Sequence, residues 1–227
     1  MELYVFKEGA VMGKTVLVLT PHADDSELGM GGTIAMHSSN GDDVYIFCIA
    51  THNKDRVRTR QLVDAANILG AIPSFAKRGM FRDGTVGKDM KALVSAIDEM
   101  KNNLKPSIMY LPFPSVHQDH VAVYEAGLRS ARLSLNENQW HIPTVLVYRE
   151  PVSQIDIYNT GLNFSIFNDI SGMPIRKKMS AMECHKSEVL PYPHPSSPEY
   201  LDYEARAEGG KYGVTHAEVF AAVRKAL

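Results

Sequence analysis

Residues 17–33, LVLTPHADDSELGMGGT, decide the fold, because an apolar run stops at a histidine and two carboxylates before a glycine-rich segment. The run LVLT is typical of a buried strand, and the glycine-rich segment is typical of a helix that follows it. His22, Asp24 and Asp25 therefore lie where the strand ends. Since open α/β sheets bind ligands at the carboxyl ends of their strands, the segment predicts a fold class and a place for a functional site.

The same alternation of an apolar strand and an amphipathic helix repeats along the chain. Strands are predicted at residues 14–20, 44–51, 107–113 and 144–149, with a weaker one within 74–81. Helices are predicted at residues 27–40, 56–69, 88–103 and from 120 to about 135. Continuous apolar strands between such helices indicate a mostly parallel sheet covered on both faces. The expected fold is α/β, a Rossmann-like three-layer arrangement.

The C-terminal part has a less regular pattern. The elements predicted there are a strand at 164–170, helices at 174–188 and 200–209, and a short closing element of uncertain type at 217–226. The prolines of LPYPHPSSP at 190–198 exclude regular structure, and this loop is expected to border the active site. Its His194 is a candidate for contact with the substrate. Because no linker or repeat divides the sequence, we expect one domain over residues 1–227.

The composition is that of an ordinary globular protein with small-molecule partners. Of 227 residues, 44% are hydrophobic and 22% charged, so the chain can bury a core without disulfides. A net charge of −2 gives no electrostatic reason to expect nucleic acid or an anionic membrane as a partner. No stretch approaches the ~20 apolar residues of a membrane helix. Free thiols at Cys48 and Cys184 fit a reducing, cytoplasmic location.

A second cluster of histidines, HQDH at 117–120, follows the predicted strand at 107–113. Both clusters end an apolar run, so the carboxyl ends of two strands would bring them to one composite metal site. His22, Asp25 and His120 supply two imidazoles and one carboxylate, the ligand class typical of catalytic zinc with an open position for water. The same donors also accept iron or cobalt.

Two further residues of these clusters are candidates for catalysis. Neighbouring side chains leave the backbone in different directions, so Asp24 is expected to face the substrate when Asp25 faces the metal. Zinc lowers the pKa of a bound water toward ~7, and Asp24 would accept the proton of the attacking water and pass it to a leaving amine. A protonated His117, one helical turn from His120, would stabilise the oxyanion.

The residues alone also allow other functions. A metal-dependent hydrolase of another bond, such as a phosphoester, would usually bring a second metal with more acidic ligands, and no third cluster is clear. A non-catalytic sugar- or nucleotide-binding protein is a further alternative. GMGG at 29–32 lacks the third glycine of the dinucleotide fingerprint, so its glycines indicate close helix packing or substrate approach. The sequence has no G-x-S-x-G elbow, which argues against a serine hydrolase.

The two clusters together resemble a known family. PHADD at 21–25 with GMGGT at 29–33, followed by HQDH at 117–120, is similar to the signature pair of the PIG-L (LmbE-like) family of zinc-dependent N-acetylglucosamine deacetylases. The resemblance extends to Arg58, to AANILG at 65–70 and to AEVF at 217–220.

The resemblance implies an activity and a role for each matching residue. The activity would be hydrolysis of the amide of an N-acetylated amino sugar, which releases acetate and a free amine. Zinc would be bound by His22, Asp25 and His120. Asp24 would be the general base, His117 would help to hold the tetrahedral intermediate, and Arg58 would contact the substrate away from the acetyl group. The family also suggests a homo-oligomer.

The sequence departs from the family's pattern at three positions. Ala23 replaces the usual proline, and Ser26 and Gln61 stand where many members have glutamate. None of the three is a ligand position, so the metal site is expected to be intact, whereas contacts to the substrate are expected to differ.

Overall fold

A computed structural model describes residues 13–50, 56–133 and 139–225 of the chain. Its strands are β1 (Thr15–Thr20), β2 (Asp43–Cys48), β3 (Ile72–Phe75), β4 (Ile108–Pro112), β5 (Thr144–Tyr148), β6 (Phe164–Asp169) and β7 (Ala217–Arg224). Its helices are α1 (Asp25–Ser39), α2 (Arg56–Leu69), α3 (Met90–Leu104), α4 (Gln118–Ser130), α5 (Met173–Met182) and α6 (Pro198–Tyr212). Short 3₁₀ turns lie at Val86–Asp89 and Pro151–Ser153. None of the described helices is long and apolar enough to cross a membrane.

The seven strands form one sheet in the order β3-β2-β1-β4-β5-β7-β6. The first five in this order run parallel to one another, whereas β7 is antiparallel to both of its neighbours, β5 and β6. The expected α/β fold with a mostly parallel sheet is therefore confirmed. β7 pairs with β5, and β6 pairs with β7 at the edge, so these two C-terminal strands extend the parallel part of the sheet.

Side chains of β1 alternate between two apolar layers, which is why its sequence is apolar throughout. Val16 and Val18 pack in one core with buried residues of α1 and α2. Leu17 and Leu19 pack on the opposite face with buried residues of α3 and α4. Since helices cover both faces, every position of the strand is buried except its first, Thr15.

The order of the strands places the ends of β1 and β4 side by side. The chain runs from β1 outward to β2 and β3, and then returns to place β4 on the other side of β1. Such a reversal of direction opens a crevice at the carboxyl edge of the sheet. The loops after β1 and β4, which carry the two histidine clusters, therefore meet at this switch point.

Several boundaries differ from the sequence-based expectations. The third strand lies at Ile72–Phe75, because Pro73 and a half-exposed edge position weaken its strand pattern. Helix α4 begins at Gln118, before the expected start at residue 120, so that His120 is in its first turn. Helix α5 ends at Met182, and the closing element of uncertain type is the strand β7. Helix α6 begins at Pro198, where the Ser197 hydroxyl accepts the N–H of Tyr200 and caps it.

Helix α1 is kinked, and β7 supplies the group that stabilises the kink. Met30 has non-helical φ and ψ angles, so the second half of α1 begins with free N–H groups. The N–H groups of Gly32 and Thr33 donate to the carboxylate of Glu218, at 3.1 and 2.7 Å. The buried Lys178 ammonium lies 2.7 Å from the same carboxylate. Glu218, which belongs to the AEVF segment, thus joins α1, α5 and β7.

Gly32 allows α1 to pack tightly on Ile170. A Cβ added at Gly32 would lie 2.7 Å from Cδ1 and 2.9 Å from Cβ of Ile170, which is completely buried. We therefore expect Gly32→Ala to lower the free energy of unfolding by about 1–3 kcal/mol, measured by urea denaturation. Gly210→Ala in α6 is the control, because a Cβ there meets nothing within 4 Å and alanine favours a helix. Equal stability of both variants would contradict the tight packing.

Candidate active site and metal centre

A cleft of about 270 Å³ opens at the carboxyl edge of the sheet. Its volume is near the lower end of the range for small-molecule sites. The loops after β1, β4 and β5 contribute to it, together with the segment between β3 and α3 and the loop after α5. Its lining residues are His22, Asp24, Asp25, Leu28, Arg58, Asp83, His117, His120, Glu150, Val152 and Glu188.

The three side chains that the sequence predicts as metal ligands are buried at the bottom of this cleft, and Asp25 lies between the two histidines. Oδ2 of Asp25 lies 3.1 Å from Nδ1 of His22 and 3.4 Å from Nε2 of His120. Tetrahedral coordination with bonds of about 2.0–2.1 Å places neighbouring donor atoms ~3.3 Å apart. The donor spacing therefore fits a zinc-type ion. Although burial alone would raise the pKa of Asp25, His120 and His22 hold it well below the usual range.

The other ring nitrogen of His22 has a carboxylate partner, as metal-binding histidines usually do. Nε2 of His22 lies 3.1 Å from Oδ2 of Asp119. Asp119 is in turn held by the N–H groups of Gly84, at 2.6 Å, and Val86, at 3.0 Å. With the Nε2 proton donated to Asp119, Nδ1 would be the nitrogen that binds a metal next to Asp25. This second contact supports the assignment of His22 as a ligand through Nδ1.

Two other groups of side chains also bring donor atoms together. Ring nitrogens of His22, His117 and His120 lie within 4.8 Å of one another, and so do donors of the group His22, Asp83, His117 and Asp119. Both groups need His117, whose Nδ1 already accepts the N–H of Asp119 at 3.2 Å. The set with Asp25 leaves the contact of His117 with Asp119 intact and brings one carboxylate oxygen within 3.1 and 3.4 Å of two imidazole nitrogens.

Asp24 lies at the start of α1, beside the metal-type donors and only 8% exposed. Its Oδ1 is 3.3 Å from Nη2 of Arg58. Burial and the neighbouring Asp25 raise the pKa of Asp24 to about 7, against the opposing effect of Arg58. A carboxylate with this pKa exchanges protons near neutral pH, as a general base must.

His117 caps the N-terminus of α4, and this fixes its tautomer. Its Nδ1 accepts the N–H of Asp119, so the proton of the neutral ring is on Nε2. Burial lowers the pKa of His117, and His22 and His120 lower it further. The sequence suggested a protonated His117 at the oxyanion. The hydrogen bonds instead provide a neutral ring with Nε2–H as the donor.

Arg58 lines the cleft beside Asp24. Its guanidinium contacts three carboxylates, those of Asp24 at 3.3 Å, Glu188 at 3.5 Å and Asp83 at 3.8 Å. Together these carboxylates raise the pKa of Arg58, although burial acts in the opposite direction. Arg58 is therefore placed to orient Asp24 in addition to any contact with a substrate.

Three carboxylates that line the cleft, those of Asp83, Glu150 and Glu188, were not predicted from the sequence. Asp83 and Glu188 come from loops with no motif, so only the tertiary fold brings them to the site. Glu150 lies two residues after the end of β5, at the same edge of the sheet as the two histidine clusters. Its position after a predicted strand was the one signal that could have identified it.

A completely buried pair behind the cleft, Glu27 and His185, was also not predicted. Oε1 of Glu27 and Nε2 of His185 lie 3.9 Å apart, and neither atom has a hydrogen-bond partner among the described residues. Although burial opposes it, the Glu27 carboxylate raises the pKa of His185. The hydroxyl of Ser26 donates to Oε2 of Glu27 at 2.8 Å. Ser26, a departure from the family's pattern, thus lies in the interior next to this pair.

His194 lies in the proline-rich loop, outside the set of residues that line the cleft. Its Nδ1 is 2.8 Å from the hydroxyl of Ser196, which also donates to the carbonyl of Glu188. His194 therefore stabilises the loop that carries Glu188. Contact between His194 and a substrate stays a prediction.

Comparison with known proteins identifies relatives over most of the chain. The sequence model of one family, described as PIG-L: GlcNAc-PI de-N-acetylase, matches residues 17–131, just over half of the chain. "Uncharacterized deacetylase YaiS" of Escherichia coli (strain K12) is 26% identical over 186 residues, 77% of this chain and 91% of the relative. "Probable N-acetyl-alpha-D-glucosaminyl L-malate deacetylase 2" of Bacillus subtilis (strain 168) is 24% identical over 196 residues, 78% and 85% of the two chains.

Solved structures with similar folds cover nearly the whole chain. The conserved protein TT1542 from Thermus thermophilus has a TM-score of 0.77 at 22% identity, with 94% of this chain and 96% of that protein covered. GalB, the 4-carboxy-2-hydroxymuconate hydratase from Pseudomonas putida KT2440, has a TM-score of 0.73 at 18% identity, with 94% and 98% covered. At these identities the likeness shows the fold alone, and the second protein shows that the fold also serves a hydratase.

Proposed function

Because the chain belongs to the PIG-L family and is a hydrolytic N-deacetylase, we propose that it removes the acetyl group of an N-acetylglucosamine-type amino sugar or its conjugate. One observation carries this proposal. The cleft holds His22, Asp25 and His120 at metal-ligand spacing, with a buried carboxylate, Asp24, beside them. These are the groups that metal-assisted hydrolysis of an amide requires.

The proposed ligands of the metal are Nδ1 of His22, a carboxylate oxygen of Asp25 and Nε2 of His120. When bound, a zinc ion would supply a Lewis acid that polarises the acetyl carbonyl and increases the acidity of water. Asp119 would keep the His22 ring in the ligating tautomer through its contact with Nε2.

Asp24 would carry the proton through both halves of the reaction. Its carboxylate would accept a proton from the water that attacks the carbonyl carbon, and a C–O bond would form. It would then donate that proton to the amide nitrogen as the C–N bond breaks, which releases acetate and the free amine. Arg58, 3.3 Å from Asp24, would hold the carboxylate in position during both steps.

His117 would stabilise the oxygen that becomes negatively charged when water attacks. The Nε2–H of its neutral ring is available, because Nδ1 accepts the N–H of Asp119. A hydrogen bond of this type stabilises the transition state more than the ground state, since the charge on the oxygen is greater there.

Hydrolysis of a phosphoester is the less favoured alternative. An enzyme of that type would usually hold two metals with separate ligands. The second donor group of the described residues shares His22 and His117 with the first, so the two groups do not form independent sites. A cytoplasmic location and a homo-oligomer stay predictions.

The proposal is tested by acetate release from a panel of N-acetylglucosamine glycosides. We expect the purified protein to release acetate and an amine in equal amounts, to lose this activity on chelation and to regain it when zinc is added. The same protein would be tested with p-nitrophenyl phosphate and with an enoic acid, for phosphoester hydrolysis and hydration. Activity on either of these substrates without release of acetate would overturn the proposed function.

A further inference from the structure

The lining of the cleft has a strong excess of negative charge. Five carboxylates contribute to it, those of Asp24, Asp25, Asp83, Glu150 and Glu188. Among the described residues that line the cleft, Arg58 is the one Lys or Arg side chain. We count the histidines as neutral and the five carboxylates as ionised. The net charge of these carboxylates, the Arg58 guanidinium and a divalent ion is then −2.

Arg58 does not offset this excess for an incoming anion. Three carboxylates of the cleft already lie within 4 Å of its guanidinium, those of Asp24, Asp83 and Glu188. A carboxylate or phosphate on a substrate would have to compete with all three. It would also approach their negative charges at short range, where repulsion is only partly screened by water.

The exposure of these carboxylates increases from the bottom of the cleft to its mouth. The side chains of Asp25 and Asp24 are 8% and 11% exposed, whereas those of Glu188 and Asp83 are 29% and 42% exposed. An N-acetyl group must reach the bottom, next to Asp24. The group attached to the sugar would then lie toward the mouth, near Glu188, whereas Asp83 also contacts Nε2 of His22 at 3.4 Å.

We propose that the cleft selects amino-sugar conjugates whose attached group carries an amine or no charge, and that it discriminates against carboxylates and phosphates. Glu188 is the specificity-determining residue. This inference rests on the proposed function and assigns a substrate class to the same site. A malate conjugate, the type in the name of the Bacillus subtilis relative, belongs to the disfavoured class for this chain.

Three glycosides of N-acetylglucosamine test the inference, with 3-aminopropyl, 3-hydroxypropyl and 2-carboxyethyl groups at the anomeric oxygen. These groups have similar size and differ in charge. We expect kcat/KM for acetate release to decrease in that order, with about a tenfold difference between the amine and the carboxylate at low salt. The difference should decrease in roughly 0.5 M NaCl, because salt screens exposed charges.

Glu188→Gln is expected to raise kcat/KM for the carboxyethyl glycoside about three- to tenfold relative to the hydroxypropyl glycoside. Most of this change should be in KM, since Glu188 lies at the mouth of the cleft. Glu99→Gln makes the same charge change at an exposed position of α3 and should leave the ratio at its wild-type value. Equal or higher activity on the carboxyethyl glycoside in the wild type would overturn the inference.

Failure of the proposed function gives a different result from failure of this inference. If no glycoside releases acetate, the proposed function is wrong, and the charge preference is then measured as binding of the three glycosides by NMR titration. The same order of Kd values would support the inference without hydrolysis. An equal Kd for all three, or tightest binding of the carboxylate, would overturn it.

Discussion

His120→Ala is expected to lose the metal and to reduce acetate release by at least about 10³-fold. Nε2 of His120 is one of two imidazole donors around Oδ2 of Asp25, 3.4 Å away, and the ring is almost completely buried. Alanine has no atom that can bind a metal, and it leaves a cavity where the imidazole was. Zinc content after dialysis, measured by elemental analysis, and acetate release on the same sample would check both effects.

Two matched variants make this result specific. His141 is exposed, so His141→Ala controls for the loss of a histidine and should keep both zinc and activity. His117→Ala separates the two possible donor sets. If Asp25 is the third ligand, this variant keeps zinc and loses rate, whereas a ligand role for His117 would remove the metal. Stoichiometric zinc in a folded His120→Ala protein would contradict the composite site.

The fold was predictable because its strongest signals are local. Each buried strand of the parallel sheet is a continuous apolar run, and β1, β2 and β4 are each followed by a helix. The parallel direction of the strands then follows, because helical connections between strands of one sheet make them parallel. β7 was not predictable in the same way. Its residues Ala217–Arg224 join two antiparallel neighbours from distant parts of the chain, and nothing local indicates this pairing.

The candidate site was predictable where its residues end a strand. His22, Asp24 and Asp25 follow β1, and His117 and His120 follow β4, so parallel neighbours bring them together. The role of each residue is a separate question, which substitution of that residue tests. Asp83 and Glu188 were not predictable, since each lies in a loop whose path depends on the packing of α3 or α5. The sequence therefore indicated the candidate catalytic groups and gave no indication of the charge at the mouth of the cleft.

The glycines of GMGG show how a pattern with two interpretations is resolved by packing. Close helix packing and approach of a substrate were both open from the sequence. A Cβ at Gly29 would lie 2.5 Å from the ring of Tyr148, and one at Gly31 would lie 3.1 Å from Lys178. The lining of the cleft does not include either glycine. These glycines therefore allow α1 to approach its neighbours, and the room for a sugar comes from the surrounding loops.

Asp24→Asn is expected to reduce kcat by about 10²–10⁴-fold and to leave zinc bound. Asparagine has the size of aspartate and lacks a basic oxygen, so the variant loses the group that accepts the proton of water. The metal donors His22, Asp25 and His120 are unchanged. KM should change much less than kcat, because the proton transfer occurs in the transition state and not on binding.

A control is needed because this substitution also removes a charge beside Arg58. Asp64→Asn makes the same change in an exposed ion pair of α2, where Asp64 lies 3.0 Å from Arg60, and should leave kcat at the wild-type level. Arg58→Lys tests the contact itself. If Arg58 acts by holding Asp24, lysine should lower kcat less than the loss of the base does, because it keeps the positive charge but not the planar guanidinium. Full activity of Asp24→Asn with zinc bound would assign the proton transfer to another group, and Glu150, at the same edge of the cleft, would be the next residue to replace.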